Sequence, residues 1–189
     1  MIFTQENEYS AVLDACVLVP AALCDLLLRL AEEPALYRPL WSEHILAEMT
    51  RAMEAKLNRT AQESAHRRQA MTKAFPEAMV IVPQSLARSP DGVPDAADRP
   101  VLAVAIVAHA NVVVTQNVKH FPKDCLDEYG ILCHTADDFL IHQYHLRGQL
   151  VLDKLDDQAA GIAETRTYAV GSLRNAAPGF AQLVEAHTI

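Results

Sequence analysis

Apolar positions along the chain alternate between short β-branched runs and longer stretches at helical spacing, the signature of strands and helices taking turns. Tyr9 to Ala15 (YSAVLDA) reads as a first strand with Asp14 at its C-terminal end. Pro20 suits a first helical turn, and Ala21 to Glu32 forms a strongly apolar helix stopped by Pro34. Tyr37 to Leu40 makes a brief second strand. In the helix that follows, Ser42 is a sound N-cap and Glu43 favours the positive end of the dipole. Ile45, Leu46, Met49, Met53 and Leu57 give that helix its buried stripe, and Glu48 falls at the stripe's edge, facing the rim of the core. Asn58 and Thr60 open a third helix, Ala61 to Phe75, which carries Arg67, Arg68 and Lys73. Met79 to Val82 reads as a strand or an extended edge, and Gln84 to Pro94 as a loop turning at Ser89-Pro90-Asp91-Gly92.

The stretch from Val93 to Pro122 organises the rest. A loop holds Asp95 and Asp98. Pro100 is tolerated only near a helix start, so the helix begins close to Asp98 and continues through Val101, Leu102, Ala105, Ile106 and Ala108. After Asn111, the run Val112 to Thr115 is too short for a helix and fits a strand buried on both faces. Polar residues follow at its exit. Helix, tight turn, buried strand and polar exit are half of a parallel α/β unit, which presents its chemistry at the carboxyl ends of its strands. Downstream, Lys123 to Glu128 reads as a short helix, Ile131-Leu132 as a last strand and Thr135 to Tyr144 as a helix. Residues 146–189 read as two or three further helices, broken near Gly171 and at Asn175 to Gly179. The expected organisation is a domain over residues 1–145 with a C-terminal helical extension over 146–189.

Composition changes this picture little. With 189 residues, 51% of them hydrophobic and 21% charged, the chain has an ordinary globular profile. No apolar run approaches the roughly 20 residues of a membrane span, and the start MIFTQENEYS lacks a signal peptide's basic and apolar segments, so a cytoplasmic location is expected. Cys16, Cys24, Cys125 and Cys133 form no C-x-x-C pair and are expected as free thiols. A net charge of −8 argues against nucleic-acid binding by the whole surface, leaves room for a small basic groove, and suits a cluster of acids that needs a cation.

With parallel strands and right-handed crossovers, Asp14, the Asp95/Asp98 loop and the Thr115–His120 loop share one edge of the sheet. Asp98, however, opens a helix that leads into its strand from the opposite end, so alternation alone does not set it beside Asp14. Four segments, VLDACVL, SEHILAEM, PDAADRPVLAVAI and VVVTQNVKHFP, together resemble the PIN-domain nucleases of the bacterial, VapC-like toxin type, in order and at about the family's spacing. The resemblance implies a three-layer α/β/α sandwich around a parallel sheet of about five strands. It implies an acidic pocket for Mg²⁺ or Mn²⁺, hydrolysis of RNA phosphodiesters, a small antitoxin partner and a homodimer. Position by position, Asp14 matches the aspartate ending the first strand, Glu48 the acid of S-x-x-I-L-x-E, and Asp98 the aspartate before V-L-x-x-A. Asp95 is an accessory acid of the same loop. Thr115 and Asn117 match the polar pair of T-x-N. His120 stands where a fourth aspartate is usual, a departure that bears on a second metal position.

Crowded carboxylates raise one another's pKa unless a cation neutralises them, and oxygen ligands with waters retained are what Mg²⁺ and Mn²⁺ prefer. Such an ion polarises the scissile phosphate and acidifies a water for attack. Asp14 and Asp98 are the expected ligands. Glu48 shares ligation or holds a water, and Thr115 and Asn117 orient Asp14 or the phosphate. Arg51, Lys56, Arg67, Arg68 and Lys119 are the expected substrate contacts. Plainer readings stand beside each. Asp14 and Asp98 are also good helix caps, Thr115 a strand residue, Asn117 a turn residue, His120 a loop residue and the arginines solvated charges. Cys16 reads as packing, having no positioned base beside it. Two rival functions remain: a PIN-like module that binds RNA or protein without cutting, and a haloacid-dehalogenase-type phosphatase. The second wants an aspartate two residues after Asp14, where Cys16 stands.

Overall fold

A computed structural model of the chain describes residues 8–87 and 98–187. Among these, four strands form one parallel sheet: β1 (Ser10–Leu13), β2 (Arg38–Leu40), β3 (Val112–Val114) and β4 (Leu132–His134), in the order β2-β1-β3-β4. The three valines of β3 pair with Ala11 to Leu13 on one side and Leu132 to His134 on the other. Buried on both faces and between two neighbours, they explain why the β-branched run reads so cleanly as a strand. Asn111, just before it, ties the two central strands: its Oδ1 accepts from Ser10 N at 2.8 Å and its N–H donates to Ser10 O at 3.0 Å.

The strand count is four rather than the five expected. Met79 makes an isolated parallel bridge to Trp41, and the run stops there. Ile81 is 87% exposed, so the alternate face of that run meets no core that would hold it in a ladder.

Helices flank the sheet, as the α/β/α expectation requires. A short helix α1 (Ala15–Leu18) follows β1 at once, and α2 (Ala21–Ala31) buries Leu23, Leu26, Leu27 and Leu30. Helix α3 (Glu43–Leu57) starts on the Ser42 hydroxyl, which accepts from Ile45 N, and ends at Asn58 in the left-handed region with φ 49°. Helix α4 (Ala61–Ala74) opens with a capping box between Thr60 and Glu63. After it come a one-turn helix α5 (Gln84–Ala87) and then α6 (Arg99–Val107), which packs against β1, β3 and α3. The turn expected at 89–92 lies outside the described residues.

A short helix α7 (Lys123–Asp127) precedes β4, and α8 (Ala136–Gly161) follows it, with non-helical backbone at Arg147. Helix α9 (Arg166–Leu173) and helix α10 (Pro178–His187) complete the described chain. The chain breaks at Ile162 to Thr165 rather than near Gly171, which sits inside α9. Helices α8, α9 and α10 pack on one another, α8 and α9 also pack on α2, and Val151, Leu155, Leu173 and Phe180 join the same hydrophobic core as the sheet. Asp137 fastens α10 to α8 by accepting from Gly179 N at 3.0 Å and Phe180 N at 2.7 Å. A Cβ at position 179 would lie 2.8 Å from that carboxylate, so a side chain there would displace the group that makes these bonds.

Candidate active site

Asp14 leaves β1 at the sheet's carboxyl edge, its N–H donating to Val114 O of the neighbouring strand at 3.1 Å. Its side chain is buried, 4% exposed, and does not cap α1. Instead Oδ2 accepts from Thr115 Oγ1 at 2.6 Å and from Cys16 Sγ at 3.0 Å. Thr115 is fully buried at the exit of β3, where its own N–H donates to His134 O at 3.0 Å. Its Oγ1 in turn accepts from Asn117 N at 3.0 Å. The plain cap reading of Asp14 therefore fails on geometry.

Asp98 reaches the same edge because α6 runs against the direction of the strands. A crossover helix that returns the chain to the start of β3 must begin where β1 ends, so Asp98, the residue before α6, lines the same pocket as Asp14. The alternation of elements alone does not give this placement; the direction of α6 does. Its side chain makes no cap hydrogen bond; Oδ2 lies 2.7 Å from His120 Nδ1. His120 thus pairs with Asp98 at the place where the resemblance puts a fourth acid.

Glu48 arrives from α3, half-buried at the margin of the stripe Ile45, Leu46, Met49, Met53. Burial pushes its carboxyl above the ordinary range. Asp14 and Asp98 add to the rise, while His44, whose Nε2 is 3.6 Å from Oε2, and Arg51 oppose it. Glu48 therefore feels both of the other carboxylates.

They line a common pocket of about 260 Å³, with Cys16, Asn117 and Lys56 completing its walls. Asp95 lies outside the described residues. Among the described residues no three acidic, histidine or cysteine side chains close on one point as a ready-made metal cage. The expected tight cluster is therefore an open, oxygen-lined pocket. An open set suits Mg²⁺ or Mn²⁺, which keep several waters and take one or two carboxylates directly; it does not suit an ion that demands an all-protein shell.

The expected substrate cations divide. Lys56 stands in the pocket wall. Arg51 and Lys119 are exposed, Arg51 Nε donating to Ala47 O at 3.3 Å. Arg68 pairs with Glu43. Arg67 is committed to the fold: its Nη1 donates to Val19 O at 2.9 Å and Leu18 O at 3.3 Å, closing the end of α1. A larger groove of about 690 Å³ runs along α4, lined by Met53, Arg59, His66 and Arg67 among others, and lies apart from the carboxylates. Sequence reasoning missed Cys16, whose place in the pocket becomes visible only once α1 is seen to start at the residue after Asp14.

A family model described as "PIN domain" matches residues 10–119. A protein of Mycobacterium tuberculosis named "Putative ribonuclease VapC50" is 51% identical over 49 residues, which is 26% of this chain and 29% of that protein. The matched stretch therefore spans under a third of that relative's length. No solved structure matches.

Proposed function

This chain belongs to the PIN domain family, and from that premise and the geometry of its pocket we propose that it is a divalent-metal-dependent endoribonuclease, the toxin of a toxin–antitoxin pair. The observation that carries the reading is the meeting of Asp14, Glu48 and Asp98, from three separate elements, in one pocket at the carboxyl edge of a parallel sheet. The name of the similar Mycobacterium tuberculosis protein supports RNA as the substrate.

When bound, Mg²⁺ or Mn²⁺ supplies charge to polarise the scissile phosphate and an acidified water as nucleophile. Asp14 and Asp98 hold the ion. Glu48 shares ligation or holds the water. Thr115 fixes the Asp14 carboxylate, and the Asn117 side chain is placed to orient Asp14 or the phosphate. His120 orients Asp98 where a fourth acid would otherwise add negative charge, which favours a single ion over two. Lys56, with Arg51 and Lys119 beyond it, draws the RNA backbone toward an otherwise acidic surface. A small antitoxin covering the pocket, a homodimer and a cytoplasmic site of action belong to the same reading.

The decisive experiment is a manganese titration of the purified chain alongside cleavage of a mixed RNA substrate, for the wild type and Asp14→Asn. The wild type should bind Mn²⁺ and cut. Asp14→Asn should lose at least about 100-fold in both, beyond what outer partners of a ligand typically cost. The rival reading, a PIN-like module that binds RNA or protein without cutting, draws on His120, which stands at the place of the fourth acid and pairs with Asp98. Intact RNA in the presence of manganese, with binding unchanged in Asp14→Asn, would establish that rival.

A further inference from the structure

Asp14 is held from two sides by one turn, and the two holds are built alike. On one side Asn117 N–H donates to Thr115 Oγ1, and Thr115 Oγ1–H donates to Asp14 Oδ2. On the other, Gln116 N–H donates to Cys16 Sγ at 3.2 Å, and Cys16 Sγ–H donates to the same Oδ2. The sulfur and Thr115 Oγ1 are themselves 3.3 Å apart. Successive peptide N–H groups of the Gln116–Asn117 turn thus each prime a side-chain donor, and both donors converge on one carboxylate oxygen.

We infer that Cys16 is a positioning residue for Asp14, acting with Thr115 to saturate Oδ2 and present Oδ1 alone toward the pocket. The inference rests on the metal-dependent reading above and adds to it the orientation of the principal ligand. Thr115 by itself leaves the carboxylate a rotation about its donor; a second donor on the same oxygen removes it. Oδ1 has no donor among the described residues, so it is the oxygen left to ligate. Hydrogen-bonded chains polarise one another, and an S–H that already accepts a peptide N–H is a better donor than an isolated thiol. An ionised carboxylate can only accept, so the 3.0 Å contact with Asp14 Oδ2 puts the proton on the sulfur, and the group serves as a donor rather than a nucleophile. A role in packing alone would ask nothing of the sulfur's proton, and this is where the two accounts part.

The test uses the whole chain and three variants: Cys16→Ser, which keeps a donor; Cys16→Ala, which removes it; and Asp14→Asn, which weakens the acceptor. Manganese affinity is measured by calorimetry, and the S–H infrared stretch of Cys16 is isolated as the difference between the wild type and Cys16→Ser. Cys16→Ala should bind Mn²⁺ about 10-fold or more weakly, the scale of lost outer-shell partners, with Cys16→Ser within about threefold of wild type. The Cys16 band should lie below those of the other three cysteines and move up in Asp14→Asn. Wild-type manganese affinity in Cys16→Ala overturns the inference. So does an S–H band that ignores Asp14→Asn. If the wild type binds no manganese at all, the metal-dependent reading falls on that result, while the infrared comparison still decides whether the thiol holds Asp14.

Discussion

Among the described residues, the sheet's carboxyl edge and helix α8 both bury polar side chains, and they do so in opposite ways. At the carboxyl edge of the sheet, Asp14 and Thr115 are almost wholly enclosed, and their hydrogen bonds are supplied by strand ends and a tight turn. On α8, Gln143 is 1% exposed and neither its Oε1 nor its Nε2 has a partner among the described residues. Gln158, farther along, donates from Nε2 to Ala22 O at 2.7 Å, while its Oε1 has no partner among the described residues. A buried polar atom costs free energy unless it is matched. The first region matches Asp14 Oδ2 and Thr115 Oγ1 with donors and gains a carboxylate of fixed orientation, only Oδ1 being without a donor among the described residues; the second leaves a whole carboxamide unmatched.

Removing a donor from the matched region should have the largest effect. Thr115→Val keeps the shape and β-branching but strips the bond to Asp14 and strands Asn117 N–H. The expected loss is about 2–3 kcal/mol, the scale of unsatisfied buried groups with a charged partner. Urea unfolding checks it. A loss under about 0.5 kcal/mol would mean the Asp14 network contributes little to the fold, and the contrast would collapse.

In the unmatched region the sign should reverse. Gln143→Met conserves length and volume while removing two polar atoms without partners, and should stabilise by about 1 kcal/mol. The same unfolding measurement applies. A destabilisation of that size would show that the carboxamide is matched after all, as by a buried water, and would bring the two regions under one rule.

How far each region was legible in the sequence follows from the same difference. The run Val112 to Val114, the Ser42 cap and the helix start at Thr60 are local patterns, and each stands in the structure as the residues suggest. Asp14 at the end of β1 and Thr115 at the end of β3 were readable because both mark strand exits. Asp98 was harder, since its place depends on the direction of α6 relative to the sheet. Cys16 and Arg67 were illegible in a stronger sense. Each is defined by a partner about 100 or about 50 residues away, Thr115 in one case and the carbonyls of Leu18 and Val19 in the other. In the C-terminal helices the signal was misplaced. The pattern predicts a break near Gly171, but α9 accommodates that glycine, and α8 gives way to α9 at Ala163, in the left-handed region at φ 56°, and the cap of Thr165. Met79 to Val82 had a strand's composition and lacked a second face to bury.

The smallest effect lies between the two regions, at Glu48, a polar group neither fully enclosed nor fully matched. Its native pKa is raised, by burial first and by Asp14 and Asp98 after that, with His44 and Arg51 in opposition. The folded chain therefore holds this proton more tightly than the unfolded one, whose glutamates titrate near about 4.3. Glu48 contributes stability below that pH and loses it as the pH rises through the raised native value. Glu48→Gln deletes this dependence. In the metal-free chain the variant should be the more stable at pH 7, by less than about 1 kcal/mol, with the difference vanishing as the pH is lowered toward 4. Manganese should reverse the order, because a cation relieves the repulsion among the wild-type carboxylates and finds one ligand fewer in the variant. Paired thermal melts at pH 4 and pH 7, with and without Mn²⁺, measure all four corners. A variant less stable than wild type at pH 7 without metal would mean that the pocket's acids do not repel one another, and that Glu48 is as well matched as Asp14.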